Sequence, residues 1–92
     1  MRYIVEEILI PWLPSGASTT SFIAEDYEQM RTIVQKLLDE AMRVYHFSMD
    51  DIEEPFMWED GNEEGYLEAY LNKEASYSNW SVCWRPETEF NL

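Results

Sequence analysis

Two hydrophobic periods divide this chain into strands and one helix. Arg2 to Leu13 is dense in Ile, Val and Leu and is limited by Pro11, which predicts a first strand. Pro14-Ser15-Gly16 is a turn signal. Thr19 to Ala24 is β-prone and predicts a strand that folds back onto the first as a hairpin. Tyr27, Met30, Val34, Leu37, Leu38, Ala41 and Tyr45 recur at spacings of three and four, which predicts an amphipathic helix from Asp26 to about Tyr45. Asp26 is placed to cap its first turn, with Gln29 as the reciprocal partner. Glu25, Asp26 and Glu28 at its start and Arg43 near its end suit the helix dipole. Arg31, Gln35, Asp39 and Glu40 make the opposite, polar face.

His46 to Glu54 reads as a connection with a short helical turn capped by Ser48, ended by Pro55. Three short strands follow in this reading: Phe56 to Glu59, Tyr66 to Asn72, and Trp80 to Arg85. The last two alternate with period two, as half-buried strands do, and Pro86 stops the final one. The expectation is a single α+β domain over residues 1–92. Its order is β-β-α-β-β-β, a mainly antiparallel four- to five-stranded sheet with one long amphipathic helix on one face. One helix covers one face only. Tyr66, Tyr70, Trp80 and Trp84 are candidates to share a face. The Trp pair is read as core, and the Tyr pair stays open between core and an exposed aromatic patch.

Charge changes this picture. Nineteen Asp and Glu against six Lys and Arg give a net −13, while 46% of the residues are hydrophobic, as in ordinary globular proteins. Direct binding to nucleic acid or to an anionic membrane depends on clustered basic residues, so neither is expected. The natural partner of such a surface is a basic protein. The acids are unevenly placed: Asp50, Asp51, Glu53, Glu54, Glu59, Asp60, Glu63, Glu64 and Glu68 lie in one stretch without Lys or Arg. These nine, with Trp58, Tyr66 and Tyr70 as aromatic anchors, are the candidate partner-binding residues.

Spacing adds a mechanism. Duplex DNA carries a phosphate roughly every 3.4 Å of axis per strand, and carboxylates two apart on a strand stand about 6.8 Å apart. Mounted rows of Asp and Glu therefore present charge at a spacing that a DNA-gripping groove accepts. In size, charge and aromatic content the chain is similar to phage-encoded inhibitors of host nucleases, the restriction inhibitors and anti-CRISPR proteins, with which it shares no motif. That similarity implies an inhibitor that blocks the nucleic-acid-binding groove of a host defence nuclease. An immunity protein or antitoxin against a basic nuclease toxin rests on the same physics. A structural or adaptor domain is the third expectation.

Enzymatic chemistry is not expected. His46 is the single histidine and reads as a helix-terminal or packing residue; Cys83 is the single cysteine, set between Val82 and Trp84 as a small packing residue. Two such residues are too few for a zinc site, and Asp60-Gly61-Asn62-Glu63-Glu64 lacks the spacing of a calcium loop, so no metal or other cofactor is expected. A lone cysteine forms no internal disulfide, Met1 to Leu13 is unlike a signal peptide, and no apolar run is long enough to span a membrane. The expected location is cytoplasmic.

Overall fold

A computed structural model describes residues 1–13, 16–52, 58–72 and 74–87. Its elements are β1 (Tyr3–Pro11), β2 (Ser18–Ala24), α1 (Tyr27–Tyr45), a 3-10 turn (Met49–Asp51), β3 (Gly65–Tyr70) and β4 (Tyr77–Pro86). The strands form one antiparallel sheet in the order β2-β1-β4-β3, with α1 packed on one face. The α+β class and the single helix on an antiparallel sheet agree with the sequence pattern. The element order is corrected to β-β-α-β-β. The strand expected over Phe56–Glu59 is not formed at Trp58 and Glu59, which lie outside any strand, while Phe56 and Met57 lie outside the described residues.

The helix starts and stops where its caps dictate. The Asp26 carboxylate accepts from the Gln29 backbone N–H at 2.7 Å, and the Gln29 side chain reaches back to the Glu25 N–H at 2.6 Å, one residue earlier than a standard capping box requires. His46 ends the helix in the left-handed region, φ 58°. Between the caps Met30, Val34, Leu38 and Ala41 are buried. They pack with Val5, Leu67, Trp80, Val82 and Trp84 of the sheet in one core. Burying each large apolar side chain stabilises by about 1.5–3 kcal/mol, so this stripe holds the helix in place.

Register decides which residues reach that core. Directly opposed residues of antiparallel strands share a face. Gly65 stands across from Trp84, and Ala69 across from Trp80, with Val5 and Leu9 on the other side of the two indoles. The smallest residues of β3 thus leave the volume that the two largest residues of β4 fill. Tyr66 and Tyr70 oppose Cys83 and Asn79 and face the other way. The expectation that Tyr66, Tyr70, Trp80 and Trp84 share a face is therefore corrected. The Trp pair is core, at 0% and 1% exposure, and the Tyr pair stands at 44% and 71% on the helix-free face.

The register also shifts once. Ile10 and Pro11 of β1 oppose Asn79 and Tyr77, so Ser78 is an extra residue in β4, and its hydroxyl donates to the Ile10 carbonyl at 3.1 Å. This bulge leaves both Trp80 and Tyr77 on the helix side, where Tyr77 meets Tyr45 edge-on and Trp80 packs on Phe47. Glu7 belongs to the same inward phase, in the row of Val82. Its carboxylate accepts the Trp80 indole N–H at 2.7 Å, which satisfies a donor the core would otherwise strand. Among the described residues no helix is long and apolar enough to cross a membrane.

Candidate functional site

The segment from Trp58 to Glu64 is fastened across the start of α1 by side chains of the scaffold. The Tyr27 hydroxyl accepts the Gly61 N–H at 2.6 Å and donates to the Asp60 carboxylate at 3.3 Å. Gly61 sits at φ 95°, a conformation that a side chain would strain. The Tyr3 hydroxyl donates to Glu63 at 2.9 Å, and the Tyr3 and Tyr27 rings meet edge to face. Burial first, then the bond to Glu63, hold the Tyr3 phenol above the ordinary tyrosine range.

Arg31 supplies the other fastening. Its guanidinium lies 3.7 Å over the Trp58 ring and donates to the Trp58 carbonyl at 3.0 Å. The same ring meets the Trp84 indole edge-on at 5.2 Å. Trp58 is thus held between Arg31 and the core and is half-buried, which leaves little of it to present as an anchor. Arg31 in turn is not simply part of a solvated helix face.

Glu59, Asp60, Glu63 and Glu64 consequently surround the helix start, where Glu25, Asp26 and Glu28 already stand. Tyr27, Gly61, Asn62, Glu63, Glu64 and Pro86 line an open groove of about 740 Å³ there. Of the described cations at this end, Arg31 stacks on Trp58, Lys36 lines a neighbouring groove with Glu28 and Trp58, and Arg2 pairs with Glu87 at 2.7 Å. Asp26 is engaged as well, in capping the helix. Among the described residues none of Glu25, Glu28, Glu59, Asp60, Glu63 and Glu64 is in an ion pair with Lys or Arg.

The rest of the acidic stretch goes elsewhere. Asp50 and Asp51 lie in the 3-10 turn beyond the far end of α1, and nineteen helical residues separate the two ends by about 27 Å. Asp51 caps its own turn, accepting from the Ser48 N–H at 2.7 Å. Glu68 stands opposite Ser81 on the helix-free face with Tyr66 and Tyr70. Glu53 and Glu54 lie outside the described residues. One run in the sequence is therefore divided between at least three places. Glu25 and Glu28, read from the sequence only as complements to the helix dipole, join the candidate surface because the chain returns to the helix start after residue 57.

The helix-free face is of a different character. Ile4 and Ile8 lie in it, crossed by an ion pair between Glu6 and Arg85. Cys83, read from the sequence as a small packing residue, is half-buried there. Its thiol is pushed up by burial and then by Glu6, against a smaller opposite pull from Arg85. Among the described residues no group of three or more His, Cys, Asp or Glu converges to hold a metal ion. Comparison of the chain with family models, with curated proteins and with solved structures gives no match.

Proposed function

We propose that this protein is an inhibitor that docks its acidic end onto a basic nucleic-acid-binding groove, such as that of a host defence nuclease, and excludes the nucleic acid by occupying it. The observation that carries this reading is the fastening of Glu59, Asp60, Glu63 and Glu64 beside Glu25 and Glu28 by Tyr3, Tyr27 and Arg31. A charged loop kept only for solubility needs no such mounting. A mounted one meets its partner with less ordering cost on binding, which is where rigidity raises affinity. The contact residues in this proposal are those six acids. Trp58 acts from beneath as the platform that Arg31 clamps.

The test is capture from a host lysate on the immobilised chain at low salt, followed by elution with duplex DNA and, separately, with salt. Screening shortens from about 10 Å at 0.1 M to about 3 Å at 1 M, so a partner held by charge leaves in both elutions. A captured nucleic-acid-binding protein released by both agrees with the proposal. Partners that stay bound in about 1 M salt and ignore DNA refute it.

A further inference from the structure

Glu7 is a charge on the apolar side of the sheet. It projects with Val5 and Leu9 toward the helix, in the row of Val82, and none of the ion pairs among the described residues includes it. Its bond to the Trp80 indole N–H at 2.7 Å explains an acceptor at this position but not a carboxylate, since a glutamine would accept as well. The charge has a second setting. Glu7 lines a cavity of about 220 Å³ together with Glu40, Ala41, Val44 and Tyr45 of the last turns of α1.

We propose that this cavity is a binding site for a cation on an aliphatic stem, the side chain of an arginine carried by a partner protein. The walls suit both parts of such a group. Ala41, Val44 and the Tyr45 ring offer apolar surface to the stem, and Glu7 from the strand and Glu40 from the helix supply the charge. Burial first, then Tyr77, Glu7 and Glu40, hold the Tyr45 phenol above the ordinary tyrosine range, so the two carboxylates act on one point. The cavity lies at the C-terminal end of α1, where the negative end of the helix dipole favours a cation. Its volume admits several waters at about 30 Å³ each, so a chain of several heavy atoms fits.

No described cation of the chain itself takes this place. Glu40 meets Arg43 at 3.8 Å with both side chains largely exposed, and Arg43 lines an adjoining groove with Lys36 and Asp39, not this cavity. The indole bond orients the Glu7 carboxylate before any ligand arrives, so less ordering remains to be done on binding. A guanidinium suits the pair of carboxylates better than an ammonium, because its planar fork donates in two directions while an ammonium is a point charge. Glu7 and Glu40 belong neither to the 50–68 stretch nor to the acids around the helix start. The site therefore goes beyond the inhibitor reading, and failure of one proposal leaves the other standing.

The probe is n-propylguanidinium, the arginine side chain alone, titrated into the full chain and followed by NMR at the Trp80 indole N–H, which reports on Glu7 directly. Saturable movement of that resonance is expected, and n-propylurea, the neutral analogue, should leave it in place. Glu7→Gln keeps an acceptor for the indole and should weaken binding about tenfold, the difference between a charge-assisted and a neutral hydrogen bond. Glu40→Gln, on the more exposed wall, should weaken it less. N-acetyl-arginine N-methylamide carries the same side chain on a peptide backbone and should bind at least as well as the free cation. An indole N–H that propylguanidinium does not move overturns the proposal, as does equal binding by Glu7→Gln. Binding of the free cation without the peptide form would mark a site for small amines and overturn the partner arginine.

Discussion

Replacing Arg31 with alanine removes the clamp on Trp58, and its cost follows from two contacts. The guanidinium 3.7 Å over the indole is a cation–π pair, worth about 0.5–1 kcal/mol at an exposed site and about 2 when desolvated. Arg31 is half-buried, so about 1 kcal/mol is taken. The charge-assisted bond to the Trp58 carbonyl at 3.0 Å adds about 1.5 kcal/mol, the low end for such bonds because water reaches the site. The total is about 2.5 kcal/mol. For a domain of this size each kcal/mol moves the melting temperature by about 4–8 °C, so Arg31→Ala should melt roughly 10–20 °C lower. Arg31→Lys separates charge from geometry. It keeps the cation but not the planar fork that stacks and donates together, and should recover less than half of the loss. Thermal melts followed by circular dichroism give both numbers. Equal melting of Arg31→Ala and the unaltered chain would show that Trp58 is held by Trp84 alone. Equal melting of Arg31→Lys would show that charge, not stacking, is what counts.

The same structure orders other outcomes. Reversing Glu63 and Glu64 to Lys should weaken capture of the basic partner by about tenfold, four units of charge at a few tenths of a kcal/mol each. The same reversal at Asp50 and Glu68 should change it far less, and equal losses would place the contact elsewhere. Because its thiol is raised, Cys83 should react with iodoacetamide at pH 8 more slowly than in the urea-unfolded chain; a faster reaction in the folded chain would contradict the effect of burial. The raised value also means the folded state holds the thiol proton more tightly. That contribution to stability is intact below about pH 8.5, the ordinary thiol value, and is lost as pH rises through the folded one.

The helix was legible because nothing competes with its stripe: Met30, Val34, Leu38 and Ala41 recur at spacings of four and three between a strong cap and the residue His46 that ends it. The faces of β3 were not legible, because both of its phases are apolar enough to be core. Tyr66 and Tyr70 contend with Leu67, Ala69 and Leu71, and the contest is settled by volume beside Trp80 and Trp84, which a single strand does not reveal. The division of the charge run was not legible for a related reason. Sequence adjacency put Asp50 beside Glu63, whereas Asp50 lies beyond the end of α1 and Glu63 beside its start. Glu7 broke the inward pattern of β1 for the sake of one indole N–H on β4, seventy-three positions away. Arg31 looked like solvent-facing polarity because its partner, Trp58, is twenty-seven positions later.

The order β2-β1-β4-β3 also has a consequence for how the molecule is made. Of the four strands of the sheet β4 is synthesised after the others, yet it lies inside the sheet and brings Trp80, Val82 and Trp84 to the core. Until Tyr77–Pro86 exists, β1 has a partner on one side only, and α1 has no floor of indoles to rest on. The hairpin and the helix can flicker locally in the nascent chain, but neither has the buried surface to persist. Joining Tyr3 to Pro86 then closes a loop of nearly the whole chain at once, an entropic step that slows folding relative to a helical bundle of equal length. During that wait the uncharged β2 segment is open to neighbouring chains, and the strong negative charge of the rest of the polypeptide keeps nascent copies apart.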